Sequence, residues 1–122
     1  MSKPVKTAND ILGIKDLREE KVFVKEWDRE VIVREFSGYE LQSVLQLDVF
    51  NGKAEAGGKF AVMDAARVCV IAIKDEDGKR IFTDEQAEDL ANKSLSAIMF
   101  VFNAALRVSG FTADEMEKEK NG

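Results

Sequence analysis

A chain of 122 residues with net charge −5, 45% hydrophobic and 34% charged, has the composition of one globular domain, long enough to remove roughly two thirds of its extended surface from water. Its Lys and Arg residues are scattered among carboxylates, which argues against nucleic acid as a partner, and no apolar run approaches the ~20 residues a bilayer span requires. It has no histidine and one cysteine, which excludes Ser-His-Asp and Cys-His catalysis and an internal disulfide.

Residues 1–20 are polar apart from Ile11, Leu12 and Ile14, and read as a weakly ordered start with one helical turn capped by Asn9 or Asp10. No apolar stretch of a secretory leader is present there. The runs KVFVKEW and EVIVREF that follow are β-branched and aromatic-rich, with Asp28-Arg29 between them. They predict a β-hairpin, and because Asp-Arg is a poor pair for a tight type I′ turn, the connection should be wider than two residues. A lone hairpin is marginal in water, so it must lie on the helices.

Three helix starts share one grammar: Phe36-Ser37-Gly38-Tyr39-Glu40, Phe82-Thr83-Asp84-Glu85-Gln86 and Phe111-Thr112-Ala113-Asp114-Glu115. Each sets Ser or Thr at the N-cap and Glu or Gln three residues on, so that two backbone N–H groups are satisfied reciprocally. Each also sets Phe just before the cap, as a hydrophobic staple does; Leu41 and Met116 are the expected partners in the first and third, and Ala87 is a weak one in the second. The first helix, about 38–50, is expected to turn Leu41, Val44, Leu45 and Val49 inward. A small, Gly-rich loop follows over 51–58.

Residues 59–74 (KFAVMDAARVCVIAIK) have the Ala and Met content of a helix, while VCVIAI is also compatible with a buried strand. Read as a helix, the segment carries a polar stripe of Asp64, Arg67 and Lys74, with Phe60 and Ile71 falling inside it. Cys69, within the apolar run, reads as a small core residue. Asp75-Glu76-Asp77-Gly78 is a turn leading to a short extended KRIF. As a calcium loop it fails, since Gly78 at position six puts Ile73 at position one and Asp84 where a bidentate Glu belongs. A short helix near 84–91 comes next.

The longest strongly apolar run with helical spacing is 93–110. Leu95, Ile98, Phe102 and Leu106 mark one face, and Ala97, Val101, Ala105 and Val108 widen it to about half the circumference. Ser96, Asn103 and Arg107 form a narrow polar stripe opposite, and Phe100 falls inside that stripe. Gly110 is placed to end the helix. The fold class that results is α+β, mainly α: an N-terminal β-hairpin packed on a small bundle of about four helices. The expected organisation is a weakly ordered 1–20, one globular unit over 21–112, and an acidic, fraying helix or tail over 113–122.

No carboxylate pair sits in an apolar segment, as a general acid of raised pKa would need, and no phosphate-cradling glycine pattern occurs. No metal ligand set and no cofactor site is predicted. What remains is surface. Trp27, Phe60, Ile71 and Phe100, with Asn103 and Arg107 beside the last, are the candidates for contact with another protein; the alternative is that the chain itself covers the apolar ones. The edge of the hairpin also offers unpaired backbone groups to a partner.

Three stretches, VFVKEWDREVIVREFSGYE, AARVCVIAIKDEDGKRIFTDEQAEDLANKS and FNAALRVSGFTADEMEKEKNG, resemble in this order the tail assembly chaperones of long-tailed, siphovirus-like bacteriophages and prophages. The most specific parts are Glu26-Trp27 with EVIVRE and Ser37-Gly38, DEDGKR with Phe82-Thr83-Asp84, and Leu106-Arg107-Val108-Ser109-Gly110. Relatives often place Pro before Glu-Trp and Gly after it; Lys25 and Asp28 stand there in this chain. The resemblance implies a non-enzymatic chaperone of the host bacterial cytoplasm. It would bind the tape measure protein, keep its apolar helices from aggregating, support assembly of the tail tube protein, and be absent from the mature virion. It further implies a homo-oligomer and a longer form of the same protein made by ribosomal frameshifting, with which a run of adenines coding Lys120-Asn121 is compatible. The runner-up is a structural tail or head-tail connector subunit.

Overall fold

In the computed structural model, which describes residues 3–47 and 62–111, the chain is organised on its last described helix. The described elements, in order, are α1 (Asn9–Leu12), β1 (Glu19–Val24), β2 (Arg29–Arg34), α2 (Gly38–Leu45), α3 (Val62–Ala72), β3 (Ile73–Lys74), a 3-10 turn (Asp84–Gln86), α4 (Ala87–Ala91) and α5 (Leu95–Val108). The predicted class holds: α+β, mainly α.

Both ends of α5 are written in the local sequence. Ser94 caps the start, its hydroxyl accepting from Ala97 N at 3.3 Å. At the other end Gly110 takes φ 84°, a left-handed conformation that a Cβ makes unfavourable. Gly110 N then donates to Arg107 O at 3.1 Å and Phe111 N to Leu106 O at 2.7 Å. These two bonds are a Schellman motif, and Phe111 completes it by packing on the core. Between the caps Ala97, Ile98, Val101, Phe102, Ala104, Ala105, Leu106 and Val108 are buried. Each large aliphatic side chain among them contributes about 1.5–3 kcal/mol by leaving water.

Helix α3 packs along α5. Ala65, Ala66, Cys69 and Ala72 are all fully buried, and small residues let two helix backbones approach closely. Cys69 Sγ lies 3.5 Å from Ile98 O, donating to that carbonyl across the interface. The other side of α5 receives β1 and β2. These strands pair antiparallel with Val22 opposite Val31 and Val24 opposite Arg29. Burial alternates as a half-covered strand requires: Val22 and Val24 face the core, Lys21 and Phe23 face solvent.

The hairpin is wider than two residues, as its sequence predicts: Trp27 N donates to Val24 O and Asp28 N to Lys25 O. Asp28 adopts φ 49°, the left-handed region that a Cβ makes unfavourable and that Asp tolerates better than most residues. The hairpin is also part of a larger sheet. Residues 73–74, directly after α3, form β3 and pair with β2 (Ile32 opposite Lys74, Val33 opposite Ile73), giving the order β1-β2-β3. VCVIAI is therefore divided: helix through Ala72, strand from Ile73. Lys74 also bridges Arg80, so the DEDG turn closes a second, tighter hairpin. Gly78 takes φ 82° there, and a Cβ would lie 2.4 Å from the Arg34 guanidinium.

Four expectations change. Leu95 is 55% exposed because it opens α5 before the sheet and α3 begin to cover it. Leu45 is exposed because α2 ends there, with Val44 as its one buried residue. Asn9 and Asp10 lie inside α1, whose N-cap is Ala8; Asp10 Oδ2 instead accepts from Lys6 N and Thr7 N. Asp64 and Lys74 are buried and do not form a solvated stripe with Arg67. The loop over 51–58, Val49, and the helix start at Thr112 with its tail to 122 lie outside the described residues.

Candidate functional site

The buried face of α5 leaves a stripe on its opposite side. Ser96, Phe100, Asn103 and Arg107 are exposed, spaced so that three- and four-residue steps keep them in line. Phe100 is 45% exposed, a large ring among polar neighbours on a helix otherwise sealed into the core. The lower end of the stripe is anchored. Arg107 Nη2 donates to Glu20 Oε1 at 2.7 Å and Nε to Oε2 at 3.3 Å, a two-pronged pair that ties α5 to β1. At this exposure the pair adds about 1 kcal/mol or less, so its effect is to orient the guanidinium.

A second surface lies elsewhere. An open cleft of about 390 Å³ runs between α2, α3 and the 3-10 turn, lined by residues that include Tyr39, Leu47, Ile71 and Ala87. Its charges are committed to the fold. Arg80 Nη2 donates to Asp84 Oδ1 at 2.6 Å and its Nε to Val70 O at 3.3 Å. Arg67 Nη1 donates to Asp64 Oδ1 at 3.2 Å. Glu40 Oε1 accepts from Ser37 N while its Oε2 accepts from the buried Lys74 ammonium.

The structure therefore separates the predicted contact residues. Phe100, Asn103 and Arg107 share one stripe; Ile71 is half-buried at the cleft; Trp27 is half-buried against the core at the hairpin tip. Phe60 lies outside the described residues. Exposed apolar side chains that the sequence reading did not single out include Phe23, on the outer face of β1, and Tyr39, on the first turn of α2. The alternation of KVFVK was the available signal for Phe23.

Three groups away from both surfaces have shifted acidities. Burial pushes the Cys69 thiol up from its ordinary value near 9 to about 12. Backbone N–H groups of Lys6 and Thr7 hold Asp10 low, and those of Lys79 and Asp77 hold Asp75 low. Among the described residues no three His, Cys, Asp or Glu side chains converge as a metal site would require. Cys69 yields a prediction. At pH 8 the folded thiol has roughly a thousandfold less thiolate than an ordinary cysteine, so iodoacetamide should label it only after denaturation. The sign of its pH dependence follows. The unfolded thiol ionises near 9 and the folded one near 12, so the stabilisation is complete below 9 and is lost as pH rises through that window.

No family model and no curated protein sequence matches the chain. A solved structure does. The fold is similar to that of the bacteriophage HK97 tail assembly chaperone. The superposition has a TM-score of 0.57 at 18% identity and covers 78% of this chain and 84% of that one. At that identity the likeness is one of fold. It reaches through most of both chains. Among the described residues no helix is long and apolar enough to cross a membrane.

Proposed function

We propose that this protein is a tail assembly chaperone of a long-tailed phage or prophage. In this reading it binds the tape measure protein in the host cytoplasm, shields its apolar helices while the tail tube protein polymerises, and leaves before the virion is complete. It acts without chemistry, as a self-associating binder, and a frameshifted longer form of it takes part. The observation that carries the reading is the fold shared with a tail assembly chaperone over most of both chains, read with the residue resemblance described above. The stripe of α5 is compatible with it: a half-exposed ring flanked by Asn103 and Arg107 suits the apolar face of a partner helix.

Co-expression tests the proposal. A long tape measure protein expressed alone should aggregate, and with this chain present it should move to the soluble fraction and co-purify. Scattering detection on a size-exclusion column should show oligomers. Unchanged tape measure solubility together with a strict monomer at high concentration would overturn it. Recovery of the protein from purified mature particles would instead favour a structural tail or connector subunit.

A further inference from the structure

The free edge of β1 carries the next inference. In the order β1-β2-β3 the outer side of β1 has no strand partner among the described residues. Glu35 N donates to Arg18 O at 2.8 Å, which makes that pair a hydrogen-bonded one. The alternation of an antiparallel ladder then gives Glu20, Val22 and Val24 to the bonds with β2 and leaves the backbone groups of Glu19, Lys21 and Phe23 directed at the open edge. Long edge strands with a large apolar side chain are templates for further pairing, and Phe23 is 57% exposed.

We propose that the β1 edge pairs antiparallel with the same edge of a second copy, about a twofold axis at Val22. Charge selects both the occupant and the register. Centred on Val22, the pairing sets Lys21 opposite Phe23, where its aliphatic stem can lie on the ring, and brings Glu19 up to Lys25, the first turn residue after β1, of the other copy twice over. Centred on Lys21, it would set that lysine against itself; centred on Phe23, it would set Lys21 against Lys25. Centred on Glu20, it would set that glutamate against itself. Like charges directly opposite are unfavourable, so the Val22 register stands out among these. The side chains of Glu19, Lys21 and Lys25 are uncommitted: none makes an ion pair or side-chain hydrogen bond among the described residues. The Arg107–Glu20 pair places the α5 stripe beside the same edge, so joining two sheets brings the two stripes to one assembly face. The pairing rests on the self-association proposed above and assigns it a surface.

A charge swap tests it on the full chain. Glu19→Lys and Lys25→Glu should each weaken self-association about tenfold, because each places like charges opposite at two symmetric positions. An equimolar mixture of the two variants should restore it, and so should the double variant. Within one chain these residues lie at opposite ends of β1, roughly 20 Å apart, so rescue requires contact between chains. Thermal midpoints at dilution should match the unmodified protein, which separates loss of pairing from loss of folding. Wild-type oligomers with unaffected single variants, or a mixture no stronger than its components, would overturn the edge pairing while leaving self-association in place. A wild-type monomer at every concentration would overturn both, and tape measure solubilisation would still be read independently.

Discussion

Ile98→Ala is expected to lower the unfolding free energy by about 2–5 kcal/mol. Ile98 is among the largest fully buried side chains, and its carbonyl receives the Cys69 thiol where α3 meets α5. Truncation removes apolar contacts and leaves a cavity in a layer whose other members are already small, so little can move in to fill it. For a domain of about this size each kcal/mol moves the thermal midpoint by roughly 4–8 °C. Ile98→Val, one methylene smaller, should cost about 0.5–1.5 kcal/mol. Chemical denaturation of the three proteins checks the order. An alanine variant within a few tenths of a kcal/mol of wild type would remove α5 from the centre of the core.

The second large effect is expected at Glu40. Its carboxylate closes the capping box of α2 with one oxygen and neutralises the buried ammonium of Lys74 with the other. Glu40→Gln keeps an acceptor for Ser37 N and removes the charge. Lys74 is then left buried and uncompensated, at a cost of about 2–4 kcal/mol, reduced from a fully buried pair because Glu40 is partly exposed. Lys74→Met in the same background should recover most of that loss, since a buried pair replaced by apolar groups is often neutral. A double-mutant cycle by urea denaturation measures the coupling. Additive effects would mean that the pair does not hold α2 to β3.

Much of this fold is legible locally, and the exceptions have one kind of cause. Ser37 with Glu40 forms its capping box, Thr83 N donates to Gln86 Oε1 at 2.8 Å, and Gly110 ends α5 in a left-handed turn, because caps are made by residues a few positions apart. The core face of α5 follows from helical spacing for the same reason. β3 is only half legible: VCVIAI is compatible with helix or strand, and pairing with β2, some forty residues earlier, is what makes Ile73 and Lys74 a strand. Lys74 shows the same effect in charge: its polarity suggested a solvated stripe, and Glu40, distant in sequence, is what allows it to be buried. At the candidate site the helical phase placed Phe100 correctly on an exposed stripe. It did not show that Ile71 faces a cleft made by α2, or that Trp27 rests half-buried on the core, since both depend on tertiary neighbours.

In the proposed function α5 has two separable faces, one buried in the core and one offered to a partner. Phe100→Glu tests this most directly when thermal midpoint and tape measure binding are measured on the same preparation. A charge at a 45% exposed position keeps its water, so the midpoint should stay within a few degrees of wild type, while recovery of the tape measure protein in co-purification falls to background. A collapsed midpoint would place Phe100 in the core, and an unchanged midpoint with full recovery of the tape measure protein would show that the stripe is not the binding surface.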